Sequence, residues 1–257
     1  MKVFKDIYNY RELLKTNVKK EIRGKYKHSF LGVIWSFLYP LLQLAVYAII
    51  FPLILRDTQE NYLIFLCVAL IPWTFFTTVV NQSTGVIISN GNILKKVYFP
   101  RIILPISVVT SAAINFIIST IIILIFVLFS GMGFSKFLIF YPIVLLVQFI
   151  LSLGISFIVS AITVYLRDLE HLINIALTML FYATPIAYAS TSIPEAFKNI
   201  MYLNPMAHII DGYRAIFYYK QIPNLINLGV LLVISIIITV VGYFIFEKLQ
   251  KRFAEEI

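Results

Sequence analysis

Between Lys19 and Leu55 the chain passes abruptly from a basic arm into apolar sequence. Lys19, Lys20, Arg23, Lys25 and Lys27 come first, and residues 30–55 carry no formal charge. A helix needs about 20 apolar residues to cross a hydrocarbon core of ~30 Å, and this run exceeds that length. Lys and Arg beside a first span stay on the cytoplasmic side. The junction therefore predicts an integral membrane protein with its N-terminus inside, and every later segment must be placed relative to it.

Composition agrees. Only 13% of the 257 residues are charged and 60% are hydrophobic, whereas soluble domains average about 25% charged. The net charge of +9 does not point to nucleic acid, because nine of the basic residues precede the first span and form no separate reader domain. Their clustering suits orientation and attraction to anionic headgroups, with membrane lipid as the partner. The single cysteine, Cys67, lies in an apolar run and reads as a small buried hydrophobe. The first thirty residues are too polar for a secretory signal, so the first span directs insertion.

Residues 3–22 read as an amphipathic helix. Val3, Phe4, Ile7, Tyr10, Leu14, Val18 and Ile22 share one face at 100° per residue, with Arg11 and Leu13 out of pattern. Such a helix suits the cytoplasmic membrane interface; an ordinary solvated helix is the alternative. Six apolar segments follow, at about 30–55, 62–80, 102–130, 137–166, 172–189 and 225–246. With the N-terminus inside, sixteen basic residues fall on the inner side and five on the outer, in keeping with the positive-inside tendency. An even number of spans leaves both termini cytoplasmic. The stretch 190–224 is too aromatic for a plain outer loop; it predicts two short helices dipping into the outer interface. The expected fold is thus all-α: six transmembrane helices, an N-terminal amphipathic interfacial helix, and re-entrant helices before the last span. It forms one transmembrane domain over 1–257, with a basic arm (1–29), a six-span region (30–246) and a cytoplasmic tail (247–257).

Motifs argue against chemistry in this chain. G-x-S-x-G, H-E-x-x-H and the G-x-x-x-x-G-K-[ST] phosphate loop do not occur. Asp211-Gly212-Tyr213-Arg214 faintly matches the start of the CDP-alcohol phosphotransferase motif, but no further carboxylate follows until Glu247. Asp211 and Arg214, three apart, are instead expected to pair on an outer helix. None of the six segments holds Asp, Glu, Lys or Arg in its core, which disfavours ion-gradient coupling. Energy for uphill movement must then enter through another subunit.

Polar stripes occur at Ser107, Ser111, Asn115 and Ser119, at Ser152, Ser156 and Ser160, and at His171, Asn174 and Thr178. Serines suit close helix packing, while the faces of Asn115 and Asn174 suit packing or a hydrated path equally. Aromatic clusters at Trp35, Phe37 and Tyr39, at Trp73, Phe75 and Phe76, and at Phe181 and Tyr182 fit either an interfacial belt or a path on which sugar rings slide. Two compact inner segments, 89–101 and 165–171, have the mixed character of a docking helix or of a simple connection.

Several stretches, in order, resemble the membrane subunit of ABC-2-type exporters, in particular permeases for O-antigen, capsular polysaccharide or teichoic acid. They are 23–40 (RGKYKHSFLGVIWSFLYP), 71–76 (IPWTFF), 92–105 (NILKKVYFPRIILP), 164–169 (VYLRDL), 181–188 (FYATPIAY) and 202–205 (YLNP). The resemblance implies a homodimer in the cytoplasmic (inner) membrane that works with two copies of an ATP-binding subunit and moves a lipid-linked glycan. ATP and Mg would then sit on that subunit, with no cofactor or metal in this chain. It further implies a coupling helix over Asn90, Gly91, Asn92, Ile93, Leu94, Lys95 and Lys96, with Arg167 and Asp168 at the same face. The channel between two copies is expected to draw on Trp35, Tyr39, Trp73, Phe75, Phe76, Asn115, Asn174, Phe181 and Tyr182. An exporter of a smaller lipid or drug, and a membrane-embedded glycosyl- or phosphotransferase, are the alternatives.

Overall fold

The computed structural model describes residues 7–24, 35–55, 60–194 and 201–257. Among these, no strand occurs and ten α-helices follow one another: α1 (Arg11–Gly24), α2 (Trp35–Leu55), α3 (Tyr62–Ser89), α4 (Gly91–Lys96), α5 (Ile103–Phe129), α6 (Tyr141–Thr163), α7 (Leu169–Ala183), α8 (Pro205–Phe217), α9 (Leu225–Leu249) and α10 (Phe253–Glu256). Four stretches are long and apolar enough to cross a membrane: Tyr62–Ser89, Ile103–Phe129, Lys136–Thr163 and Leu225–Glu256. The apolar part of α2, Pro40–Leu53, and α7 are shorter. Among the described residues, four of the six expected apolar segments thus hold long helices, and the other two hold shorter apolar stretches in α2 and α7.

Local signals set the helix ends. Two glycines with positive φ, Gly131 (74°) and Gly133 (69°), make the turn after α5, a backbone region that only glycine enters without strain. The Ser135 side chain then accepts the Phe137 N–H at 3.1 Å and starts the 3-10 turn leading into α6. Asn204 caps α8 by accepting the Met206 N–H at 3.0 Å, with Pro205 in the first turn. Asn224 caps α9 through the Asn227 N–H at 3.1 Å. These are the positions where an Asx side chain replaces a missing intrahelical acceptor and where proline costs no hydrogen bond.

Helices α3, α5 and α6 form the centre, and α9 lies along α6 in the most extensive helix contact. Small residues allow that approach. A Cβ on Gly154 would stand 2.7 Å from the Thr239 backbone nitrogen, and one on Gly242 would stand 2.6 Å from the Gly154 carbonyl oxygen. The serine stripes serve packing too. Ser152, Ser156 and Ser160 are fully buried, and Ser156 shares a 2.6 Å hydrogen bond with Ser83 of α3.

Both described ends of the chain lie at one end of the bundle, called here the terminal end. Val18 of α1 is buried, and Ile7, Tyr10, Leu13 and Leu14 pack onto an apolar cluster containing Ile102, Leu104, Phe246 and Phe253. Leu13, out of pattern in the sequence, is part of this contact. The apolar face of the N-terminal helix is therefore seated on the protein. Its open side carries Lys15, whose Nζ lies 2.8 Å from Glu12 Oε1 and holds that carboxyl below its ordinary range.

At the opposite end α8 is sunk into the protein. Ten of its thirteen residues are buried, from Met206 to Phe217. This is one of the two short helices expected before the last span; the other falls on residues outside the described ones. The expected Asp211–Arg214 pair is not formed. Arg214, 1% exposed, donates from Nη1 to the Pro185 carbonyl at 2.5 Å and from Nη2 to the Ile186 carbonyl at 2.7 Å. Its guanidinium lies 3.6 Å from the Phe65 ring centroid. Asp211 instead accepts from Ser190 Oγ at 3.3 Å.

Candidate translocation groove

Helix α3 is longer than its hydropathy suggests. The apolar reading stopped near Val80, but the helix continues to Ser89. Thr74, Thr77, Thr78, Asn81, Gln82, Gly85 and Ser89 recur at helical spacing, and all of them line cavities on one side of α3. The threonines settle their own donors within the helix: Thr74 Oγ1 donates to the Leu70 carbonyl at 2.9 Å, and Thr77 Oγ1 to the Trp73 carbonyl at 3.2 Å. Their outer surfaces remain available without leaving buried donors unpaired.

Three adjoining cavities make a groove along this face. The middle one, about 360 Å³, is lined by Gln43, Trp73, Thr74, Thr77, Thr78, Asn81 and Gln82. The second, about 230 Å³, shares Gln43, Trp73, Thr77 and Asn81 and adds Tyr47 of α2 with Asn174, Thr178, Phe181 and Tyr182 of α7. The third, about 240 Å³, shares Asn81 and Gln82 and is lined toward the terminal end by Glu21 and Glu170. Asn81 borders all three. Aromatic rings form one wall: Trp73 meets Phe181 edge-on at 5.9 Å, and Phe181 lies 5.6 Å from Tyr47 and 5.3 Å from Tyr182. Such rings offer flat apolar faces beside amide and hydroxyl groups, the mixture that suits a sugar's C–H surface and its hydroxyls.

The expected channel residues divide. Trp73, Asn174, Phe181 and Tyr182 are brought together in the groove. Phe75 is turned the other way, 3% exposed and stacked on Phe116 at 5.2 Å. Phe76 is buried behind Trp73, their rings 5.8 Å apart. Asn115 is half-buried on α5 and borders none of the three cavities. Trp35 is 41% exposed at the start of α2; Tyr39 lies in that helix, and its side chain falls outside the described set. Gln43, Tyr47, Asn81 and Gln82 were missed. The recurrence of Thr, Asn and Gln at helical spacing past residue 73 is the signal that points to Asn81 and Gln82; Gln43 and Tyr47 carry none.

The segment expected to couple to a partner forms a short helix, α4, but its two sides differ. Asn90, Gly91 and Leu94 are buried. Asn90 donates to the Val86 carbonyl at 2.8 Å and accepts from Lys20 Nζ at 3.2 Å. Leu94 packs in the cluster that holds Phe253, and Gly91 lies directly under Ile257. Asn92, Ile93, Lys95 and Lys96 face outward, followed by Val97 and Tyr98, the latter 94% exposed. Leu166, Arg167 and Asp168 are also exposed, in the turn before α7.

Comparison with known proteins gives this architecture its place. The family model described as ABC-2 type transporter matches residues 12–218. An O-antigen export system permease protein RfbA from Myxococcus xanthus is 34% identical over 259 aligned positions, covering 100% of both chains. A protein of the same name from Klebsiella pneumoniae is 37% identical over 245 positions, covering 95% of this chain and 94% of its own. A family match over most of the chain, together with full-length relatives, makes this protein a member of the ABC-2 type transporter family, a multi-pass membrane subunit.

Proposed function

We propose that this chain is the permease of an ATP-driven exporter that carries a lipid-linked polysaccharide of the O-antigen kind across the cytoplasmic membrane. The carrying observation is the groove: amide and hydroxyl groups and aromatic rings aligned along α3. Polar groups such as Asn81 and Asn174 are costly against lipid, which supports a homodimer in which two grooves face one another. In this reading the chain is one transmembrane domain of six spans, α2 and α7 completing the four long helices. The terminal end is cytoplasmic. An ATP-binding subunit, one per copy, docks on the open side of α4 and on the turn at Arg167 and Asp168. The names of the full-length relatives support the glycan as cargo.

Docking separates cleanly from folding. Ile93 is 45% exposed, whereas Leu94 is 8% exposed within the chain. In a coexpression pull-down, the wild-type chain retains the ATP-binding subunit and supports glycan on the cell surface. Ile93→Asp releases the subunit and stops export while the chain accumulates normally. Leu94→Asp lowers accumulation itself, because the charge enters an internal apolar cluster. Retention of the subunit by Ile93→Asp at wild-type strength refutes the docking face, and normal export of a small lipid with no glycan at the surface favours the smaller-cargo exporter.

A further inference from the structure

We propose that the groove selects uncharged glycans over anionic ones. This rests on the glycan reading above and narrows it to a class of polymer. The middle of the groove offers neutral groups: the amides of Gln43, Asn81 and Gln82, and the hydroxyls of Thr74, Thr77 and Thr78. Gln82 Oε1 is enclosed and accepts no hydrogen bond among the described residues; an amide oxygen with no donor beside it is a repulsive neighbour for a carboxylate or phosphate oxygen. The cavity at the terminal end is lined by two carboxylates, Glu21 and Glu170. Among the described residues that line the three cavities an anionic repeat meets these two carboxylates and no Lys or Arg. Pores built for anions or phosphate carry rings of exactly those cations.

Among the described residues, the cations at this end do not line the three cavities. Lys20 Nζ donates to Asn90 Oδ1 at 3.2 Å, and Arg101 donates to the Gln250 carbonyl. Lys95, Lys96 and Arg167 point outward from the bundle. Arg214 is held by two backbone carbonyls at the opposite end. A neutral sugar needs none of these. Its hydroxyls donate and accept, as the Thr, Asn and Gln side chains do, and its ring faces Trp73 and Phe181.

The test uses the full chain with its own ATP-binding subunit, in cells lacking another exporter. Two polyprenyl-linked polymers are supplied, a neutral hexose homopolymer and one alternating hexose with hexuronate, and the fraction of each at the cell surface is measured. The neutral polymer is expected to reach the surface at a fraction at least about tenfold higher, the scale on which a charged cleft biases its ligands. Asn81→Lys, at an exposed position common to all three cavities, raises the hexuronate fraction several-fold relative to the neutral one; Gln43→Lys serves if that variant does not accumulate. Equal fractions in the wild type, or an unchanged ratio in a lysine variant that still retains its ATP-binding subunit, overturn the selectivity and leave the glycan reading intact. Arrival of neither polymer overturns both.

Discussion

At the scale of single residues, Arg214 decides how the segment after α7 is held. The segment after α7 has left helical geometry, and the carbonyls of Pro185 and Ile186 are met by the two terminal nitrogens of this one side chain. Tyr62 adds a hydrogen bond to the Ala187 carbonyl at 2.7 Å, and Asn204 one to Thr184 Oγ1 at 2.7 Å. Two effects compete in removing the guanidinium. Replacing a buried charge by an apolar group can be neutral, but here two carbonyls are left without donors, which costs about 2–4 kcal/mol. The second effect wins because, among the described residues, no other side chain donates to those oxygens. Arg214→Met should therefore lower the thermal midpoint in detergent, and Arg214→Lys, which can serve one carbonyl, should fall between. A wild-type midpoint for Arg214→Met means that water fills the gap. The sequence could not show this role. Spacing alone offered Asp211 as the partner, and the true partners are backbone oxygens that carry no signature in the side-chain string.

At the scale of elements, the helices differ in how firmly they are set. The α6–α9 seam is closed: Gly154 and Gly242 bring two backbones together, and Thr239 Oγ1 donates across it to the Ile150 carbonyl at 2.8 Å. Gly154→Ala places a methyl 2.7–2.9 Å from the α9 backbone, a clash that backbone cannot relieve cheaply. About 1–3 kcal/mol is lost, as for overpacked cores. Gly229→Ala, in the same α9 but with nothing within 4 Å, should instead be neutral or stabilising by up to about 1 kcal/mol, the helix propensity difference. Melting the two variants side by side checks the seam, since equal midpoints exclude it. Apolar runs made the positions of these helices legible, because length and hydropathy suffice to mark a span. The end of α3 was not legible, because hydropathy counts Asn81, Gln82 and Ser83 against a helix that places them on a polar face or in a Ser83–Ser156 contact. The short helix α4 was legible as an element, but which of its sides faces outward depended on the distant Phe253 and Ile257.

At the scale of the whole molecule, the loosely held helix carries the unfinished surface. Only Leu177 of α7 is buried. Leu172, Ile175, Met179 and Tyr182 are 62%, 59%, 68% and 65% exposed. Their spacing of three, four and three residues makes one apolar stripe of the kind that packs helix against helix. The stripe runs beside Asn174 and Thr178, which belong to the groove. A lipid coat would satisfy the stripe but strand the neighbouring polar groups in hydrocarbon. A second copy related by a twofold axis, as in the proposed homodimer, would cover both at once, since an isologous contact brings like stripes together. Cysteine cross-linking can read this without a competing thiol, because the native Cys67 is fully buried. In a Cys67→Ala background, Met179→Cys should give a disulfide-linked dimer in native membranes. Leu128→Cys, on the exposed side of α5, should remain monomeric under the same oxidation. A dimer through Leu128→Cys alone would move the seam to α5 and leave the groove facing lipid, an arrangement its polar lining does not support.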